Sequence, residues 1–268
     1  MTHSATKALD PAHEAESFLR TDRIGRTIRS FQSVSSTNTL AADWAEEGAP
    51  DGAVVFAERQ TQGRGRHGRS WQALAGLNLT FSIVLRPNLP LELLGMIPIA
   101  AGLAVAEALD AFISPISADI KWPNDILVRG RKCGGILLES RWTGSDKVPA
   151  VVLGIGVNVN QAEFPAEISD RATSLLLETG RRVARAPLLA AILDRLEKWL
   201  DRLVDRDDEV RSAYRGRMTQ LNSHVTLRFP GGDSVCGVGL GIDNSGGIVL
   251  ESDGTRRVFH SGEVTCAV

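Results

Sequence analysis

Apolar and polar positions alternate through Leu77-Asn78-Leu79-Thr80-Phe81-Ser82-Ile83-Val84-Leu85 and stop at Arg86-Pro87, a pattern that predicts a strand. Ala53-Val54-Val55-Phe56-Ala57 is a short apolar, β-leaning run, and another strand is predicted near residues 27–32. Helical spacing takes over at about residues 39–47, where Gly48 and Pro50 end it, and again at about 97–112. Ala118-Asp119-Ile120-Lys121-Trp122 reads as a strand running into a Pro123-Asn124-Asp125 turn, with Ile126-Leu127-Val128 as the next. Gly134-Gly135-Ile136-Leu137-Leu138-Glu139 and Ala150-Val151-Val152-Leu153-Gly154-Ile155-Gly156 predict an antiparallel pair. Ser174-Leu175-Leu176 and about 188–204 are helical, the second running out in acidic residues 205–208.

After about residue 219 the texture changes to four short strands, around Val225, Val235, Ile248 and Val258. Pro230-Gly231-Gly232-Asp233, Asn244-Ser245-Gly246-Gly247 and Asp253-Gly254 supply the turns. Strands joined by short turns with helices inserted predict an α+β fold, a mixed and mostly antiparallel sheet flanked by helices, rather than βαβ repeats. Three segments are expected: a polar, partly disordered extension over 1–28 with a short helix near 14–20, a large α+β domain over 29–218, and a small β-barrel over 219–268.

Charge changes this picture little. With 30 basic and 32 acidic residues among 268, the chain is nearly neutral, which excludes nucleic-acid binding by bulk charge. Cys133, Cys236 and Cys266 are odd in number and far apart, as expected in a reducing compartment, and five scattered histidines form no zinc pattern. The opening residues carry no apolar secretory core, and the apolar run 96–113 is broken by Glu107 and Asp110. A cytoplasmic protein with a buried helix there, not a membrane span, is expected.

Candidate chemistry centres on Gly63-Arg64-Gly65-Arg66-His67-Gly68-Arg69-Ser70-Trp71. It satisfies G-x-G-x-x-G, but a strand rather than a helix follows, so the dinucleotide reading fails. A mobile loop closing on a polyanion through guanidinium forks fits better. A plain solvated hairpin, or a single RGG-like RNA contact, fits the same residues. Lys121-Trp122-Pro123-Asn124-Asp125 is placed to present polar groups at a strand end, with Asp125 able to hold Mg²⁺ through water, or is simply a turn. Lys132 precedes two glycines, so its ammonium could approach a ligand over bare backbone, or lie in solvent. Cys133 reads as a small apolar filler. Ser35-Ser36-Thr37-Asn38 reads as a helix cap with hydroxyls and an amide to spare, and Asn158 follows a glycine-relieved strand.

Taken in order, Ser-Ser-Thr-Asn, Gln60-x-x-Gly-Arg-Gly-Arg-x-Gly-Arg-x-Trp, Lys-Trp-Pro-Asn-Asp, Arg-Lys-x-x-Gly-Ile-Leu and Gly-x-Asn resemble the biotin–protein ligases. The likeness runs from about residue 31 to 264 and includes a C-terminal pattern like the family's SH3-like barrel. It implies a class II synthetase-like catalytic domain that makes biotinyl-5′-AMP from biotin and MgATP. It then passes biotin to a lysine of the biotin carboxyl carrier domain of acetyl-CoA carboxylase. By this resemblance Ser36, Thr37, Asn38 and Gln60 hold biotin's ureido head, with Gly63, Gly65 and Gly135 close to biotin. Arg64, Arg66 and Arg69 close over carboxylate and phosphate, and Lys132, with Arg66, is catalytic. Trp71 covers adenine, while Lys121, Asn124, Asp125 and Asn158 take nucleotide-side or metal-side positions. Similar enzymes carry Lys-Leu-Ala-Gly where this chain has Lys132-Cys133-Gly134-Gly135. The resemblance also implies a ligase without the DNA-binding domain of some relatives, monomeric or weakly dimeric, with no DNA or membrane partner. A lipoate or octanoate ligase and a non-catalytic RNA- or phosphate-binding protein are the rival readings.

Overall fold

The computed structural model describes residues 10–141 and 150–266. Helix α1 (Pro11–Ala15) starts at Asp10, whose carboxylate accepts the Ala12 N–H. A seven-stranded sheet follows, in the order β1-β2-β3-β7-β6-β5-β4. Its strands are β1 (Ile28–Phe31), β2 (Val54–Ala57), β3 (Leu79–Leu85), β4 (Ala118–Lys121), β5 (Asp125–Val128), β6 (Arg131–Arg141) and β7 (Ala150–Val157). Every neighbouring pair is antiparallel except β1 and β2, which α2 (Thr37–Glu46) joins as a parallel crossover. The strand pattern had suggested no such unit.

The central strands β2, β3 and β7 are buried along their whole length, because helices cover both faces. On one face, Phe81, Ile83, Leu153 and Ile155 pack with α3 (Met96–Ile113) and α5 (Arg185–Asp205) in the main core. On the other, Val55, Val84 and Val152 pack under Ala41, Trp44 and Ala45 of α2. Helix α3 is apolar and long enough to cross a bilayer, yet most of it is buried inside the protein as a core helix.

Two expectations need correction. The segment after residue 10 is not loose. Ala12, Ala15 and Ile24 are fully buried, and Glu197 on α5 accepts the backbone N–H groups of Asp22, Arg23 and Ile24. Burial alone would raise the Glu197 carboxyl, but these three amides hold it below the usual carboxylate range. Residues 1–9 lie outside the described part. The acidic run near 205–208 does not merely end a helix either. Asp207, Asp208 and Glu209 form the first turn of a further helix, α6 (Asp207–Arg217), where acidic side chains complement the free amides. Short α4 (Leu175–Thr179) is capped by Ser174 and stopped by left-handed Gly180.

The C-terminal residues form a five-stranded antiparallel sheet, ordered β11-β10-β9-β8-β12. It comprises β8 (His224–Arg228), β9 (Ser234–Ile242), β10 (Ile248–Ser252), β11 (Thr255–Phe259) and β12 (Glu263–Cys266). Strand β12, which the sequence pattern had not marked, brings the chain back beside β8. The Trp122 indole ties this module to the large domain by donating to Gly246 O at 2.9 Å.

Candidate functional site

Strand periodicity builds the floor of the site. Side chains two apart share a face, and on β3 that face carries Thr80 and Ser82 before the apolar Val84. The register sets Thr80 opposite Gly156, which in turn faces Gly135 on β6, and Ser82 opposite Gly154, which faces Leu137. The glycines leave bare backbone where α2 no longer covers the sheet. A cavity of about 160 Å³ opens there, reaching from the start of α2 to the first residues of β12.

The neutral end is organised around α2. Ser36 occupies the cap position but makes no side-chain capping bond, so its hydroxyl is not consumed by the helix. Gln60 instead accepts the Thr37 N–H through Oε1 at 2.7 Å, satisfying an amide that helix geometry leaves free. Asn38 lies flat on the sheet, and a Cβ on Gly154 would collide with its Oδ1. Its Nδ2 donates to Glu139 at 2.7 Å, and its Oδ1 accepts from Ser82 at 2.6 Å.

The charged end lies further along β7, about 7 Å for two residues of strand. Lys132 Nζ contacts Asp125 at 2.5 Å across the β5–β6 pair. The same ammonium is 5.9 Å from the Trp71 ring centre. The indole rests against Gly156, where a Cβ would strike the ring, and its buried Nε1 finds no hydrogen-bond partner among the described residues. The glycine-arginine loop folds back on itself: Gly65 N donates to Arg69 O at 2.7 Å, and Trp71 N to Gly63 O at 2.9 Å. His67 takes a left-handed φ of 55° and Gly68 one of 73°, which turns the chain.

That fold-back aims Arg66 and Arg69 at the cavity from above. Arg66 reaches Asn124 Oδ1 and Gly262 O, each at 3.4 Å, and burial lowers its guanidinium from its ordinary value. Arg69 pairs with Glu263 of β12, which raises the arginine and holds the Glu263 carboxyl below its usual range. Cations are thus gathered with only provisional acid partners, an arrangement suited to receiving anions.

Of the residues singled out in the sequence, Ser36, Thr37, Asn38, Gln60, Arg64, Gly65, Arg66, Arg69, Trp71, Lys121, Asn124, Asp125, Lys132 and Gly135 all line this one cavity. Two do not. Gly63 lies under the loop, where a Cβ would meet Trp71 O and Gln60. Asn158 is buried away from the cavity and spends its Nδ2 on Thr173 O at 3.0 Å, reinforcing a segment that also bridges to Lys132 of β6. Burial pushes the Cys133 thiol well up, consistent with a core filler. Ser82, Glu139 and Glu263 were missed. The polar positions of β3, all on one face of an otherwise apolar strand, were the signal for Ser82. No cluster of metal-ligating side chains occurs among the described residues.

Residues 30–158 match the Biotin/lipoate A/B protein ligase family, and residues 221–265 match the Biotin protein ligase C terminal domain. The chain is 36% identical over 247 residues to the biotin–[acetyl-CoA-carboxylase] ligase of Mycobacterium tuberculosis, covering 90% of each. It is 35% identical over 245 residues to the bifunctional ligase/repressor BirA of Bacillus spizizenii, covering 90% of this chain and 74% of that protein. The biotin protein ligase of Aquifex aeolicus, solved with biotin and ATP, superposes with a TM-score of 0.77 at 32% identity, covering 90% of this chain and 99% of that one. The chain belongs to the biotin/lipoate protein ligase family and, within it, to the biotin protein ligases. It is a ligase that activates biotin with ATP.

Proposed function

We propose that the cavity joins biotin to ATP and that the chain then transfers biotin to a lysine of a carboxylase's biotin carboxyl carrier domain, in the cytoplasm. One observation carries this reading: a neutral hydrogen-bonding cluster and a cationic cluster share one glycine-floored cavity. Biotin has a neutral ureido head and an anionic tail, and its tail must meet another anion. The carboxylate oxygen attacks the α-phosphorus of ATP, the α–β phosphoanhydride breaks, and pyrophosphate leaves. Lys132, Arg66 and Arg69 offset the repulsion between the two anions and stabilise charge in the transition state. Mg²⁺ enters on the triphosphate, and we assign Asp125 to its water shell. Trp71 supplies an aromatic face and a free indole N–H beside the junction. In the second step the acceptor amine attacks the acyl carbon and AMP departs. The loop above the cavity shields the mixed anhydride from water.

Biotin-dependent exchange of labelled pyrophosphate into ATP tests this directly. Exchange is expected with biotin, and much less with lipoate or octanoate, whose heads lack the ureido donors and acceptor. No biotin-dependent exchange by the folded protein would refute the reading.

A further inference from the structure

We infer that Glu139 sets the hydrogen-bond polarity of the head-group cluster so that it is one hydrogen short and demands an N–H donor from its ligand. This rests on the biotin reading above and deepens it. Two atoms in the cluster have no choice of role. The Thr37 backbone N–H can only donate, so the Gln60 atom 2.7 Å away is the carbonyl Oε1. Glu139, a carboxylate beside Arg64 at 3.4 Å, accepts, so Asn38 turns Nδ2 towards it and Oδ1 towards Ser82.

Between those two carbonyl oxygens stand only two hydroxyls. Three oxygen–oxygen contacts must nevertheless be bridged: Asn38 Oδ1 to Ser82 at 2.6 Å, Ser82 to Thr37 at 2.7 Å, and Thr37 to Gln60 Oε1 at 3.0 Å. Two hydroxyl hydrogens cannot serve three contacts. Thr37 donates to Gln60 Oε1, so the single Ser82 hydrogen cannot serve both Thr37 and Asn38, and one contact stays unbridged until a ligand donor takes over Gln60 Oε1 and frees the Thr37 hydrogen for Ser82. An N–H of a cyclic urea fills that gap. Gln60 Nε2 and the second Nδ2 hydrogen of Asn38 remain as donors for a carbonyl. The cavity therefore has a built-in appetite for a group with both N–H and C=O.

Glu139 touches the glycine-arginine loop only through Arg64, at 3.4 Å, and its closer partner is Asn38 at 2.7 Å. It is a positioning residue, acting through Asn38. Without it the Asn38 amide can flip, Nδ2 donates to Ser82, and the chain Asn38–Ser82–Thr37–Gln60 closes with every hydrogen placed. The site then no longer needs an N–H.

The test is pyrophosphate exchange by full-length protein with biotin and with its cyclic-carbamate isosteres, in which either ring N–H is replaced by oxygen. Wild type is expected to prefer biotin about tenfold or more in kcat/KM over at least one isostere. Glu139→Ala should shrink that preference to about twofold. Glu139→Gln, which keeps an acceptor, should restore it. Ser82→Ala removes the hydroxyl that competes for the Thr37 hydrogen, leaving Thr37 committed to Gln60 and Asn38 Oδ1 without its donor, so it should lose the preference with Glu139 intact, whatever the folding of Glu139→Ala. Wild-type preference in Glu139→Ala or in Ser82→Ala would overturn the inference, as would no preference in wild type. A wild type without biotin-dependent exchange would instead sink the functional reading itself.

Discussion

The two ends of the cavity are built on opposite principles. At the neutral end the side chains hold one another in place: Thr37 to Gln60, Asn38 to Ser82 and Glu139, with Gly154 admitting the Asn38 amide. At the charged end the partners are substitutes. Asp125 holds Lys132 and Glu263 holds Arg69, and on the proposed reading phosphate or carboxylate oxygens take the places of these acids. A neutral head is recognised by geometry, which must be prepared in advance. An anion is recognised by charge, which can be kept on a temporary partner until the substrate arrives.

Breaking the charged end should have the largest effect. Lys132→Ala is expected to lower the rate of biotinyl-AMP formation by roughly 10²–10³, the usual consequence of deleting one preorganised electrostatic group. Its pair with Asp125 is partly exposed, so melting temperature should hardly move. A variant that forms adenylate at the wild-type rate would remove Lys132 from the chemistry.

Gly154→Ala attacks the neutral end alone. The new methyl must displace the Asn38 amide, and KM for biotin should rise about tenfold, the scale of one well-made hydrogen bond lost, while KM for ATP stays put. Equal changes in both constants would show that the two ends are not independent.

The smallest effect belongs to Glu263. Arg69 holds its carboxyl below the ordinary value of 4.5, so the pair contributes fully above that pH and is lost as pH falls through the lowered value. Wild type and Glu263→Gln should therefore differ in stability by less than about 1 kcal/mol at neutral pH, the range for an exposed pair. The gap should close on acidification below about pH 4, as the carboxylate protonates. A difference that widens in acid would contradict the pairing.

Much of this was legible in the chain because short-range rules govern it. Alternation located β3, Gly48 and Pro50 ended α2, and the turn residues marked the C-terminal strands. Ordered motifs picked out fourteen residues that line one cavity. Asn158 was open to two readings, because an asparagine after a glycine-relieved strand looks the same whether it faces a ligand or ties down a loop; here its amide donates to the Thr173 carbonyl. The acidic start of α6 was open to reading, since Asp207, Asp208 and Glu209 are a helix-start signature as much as a helix end. Glu139 carries no local mark, because its partners come from α2 and the loop, 101 and 75 residues away.

By itself the sequence determined the elements, the α+β class and the residue types able to handle a neutral head and two anions, since local sterics and periodicity suffice for those. Which side chains meet depended on register. Pairing Ser82 with Gly154 and Thr80 with Gly156 cleared one patch of sheet, and β12 returned Glu263 to Arg69 from the far end of the chain. A hydrogen-bond polarity, or a temporary partner for a cation, exists only once distant segments have been packed together, so only the tertiary structure could decide it.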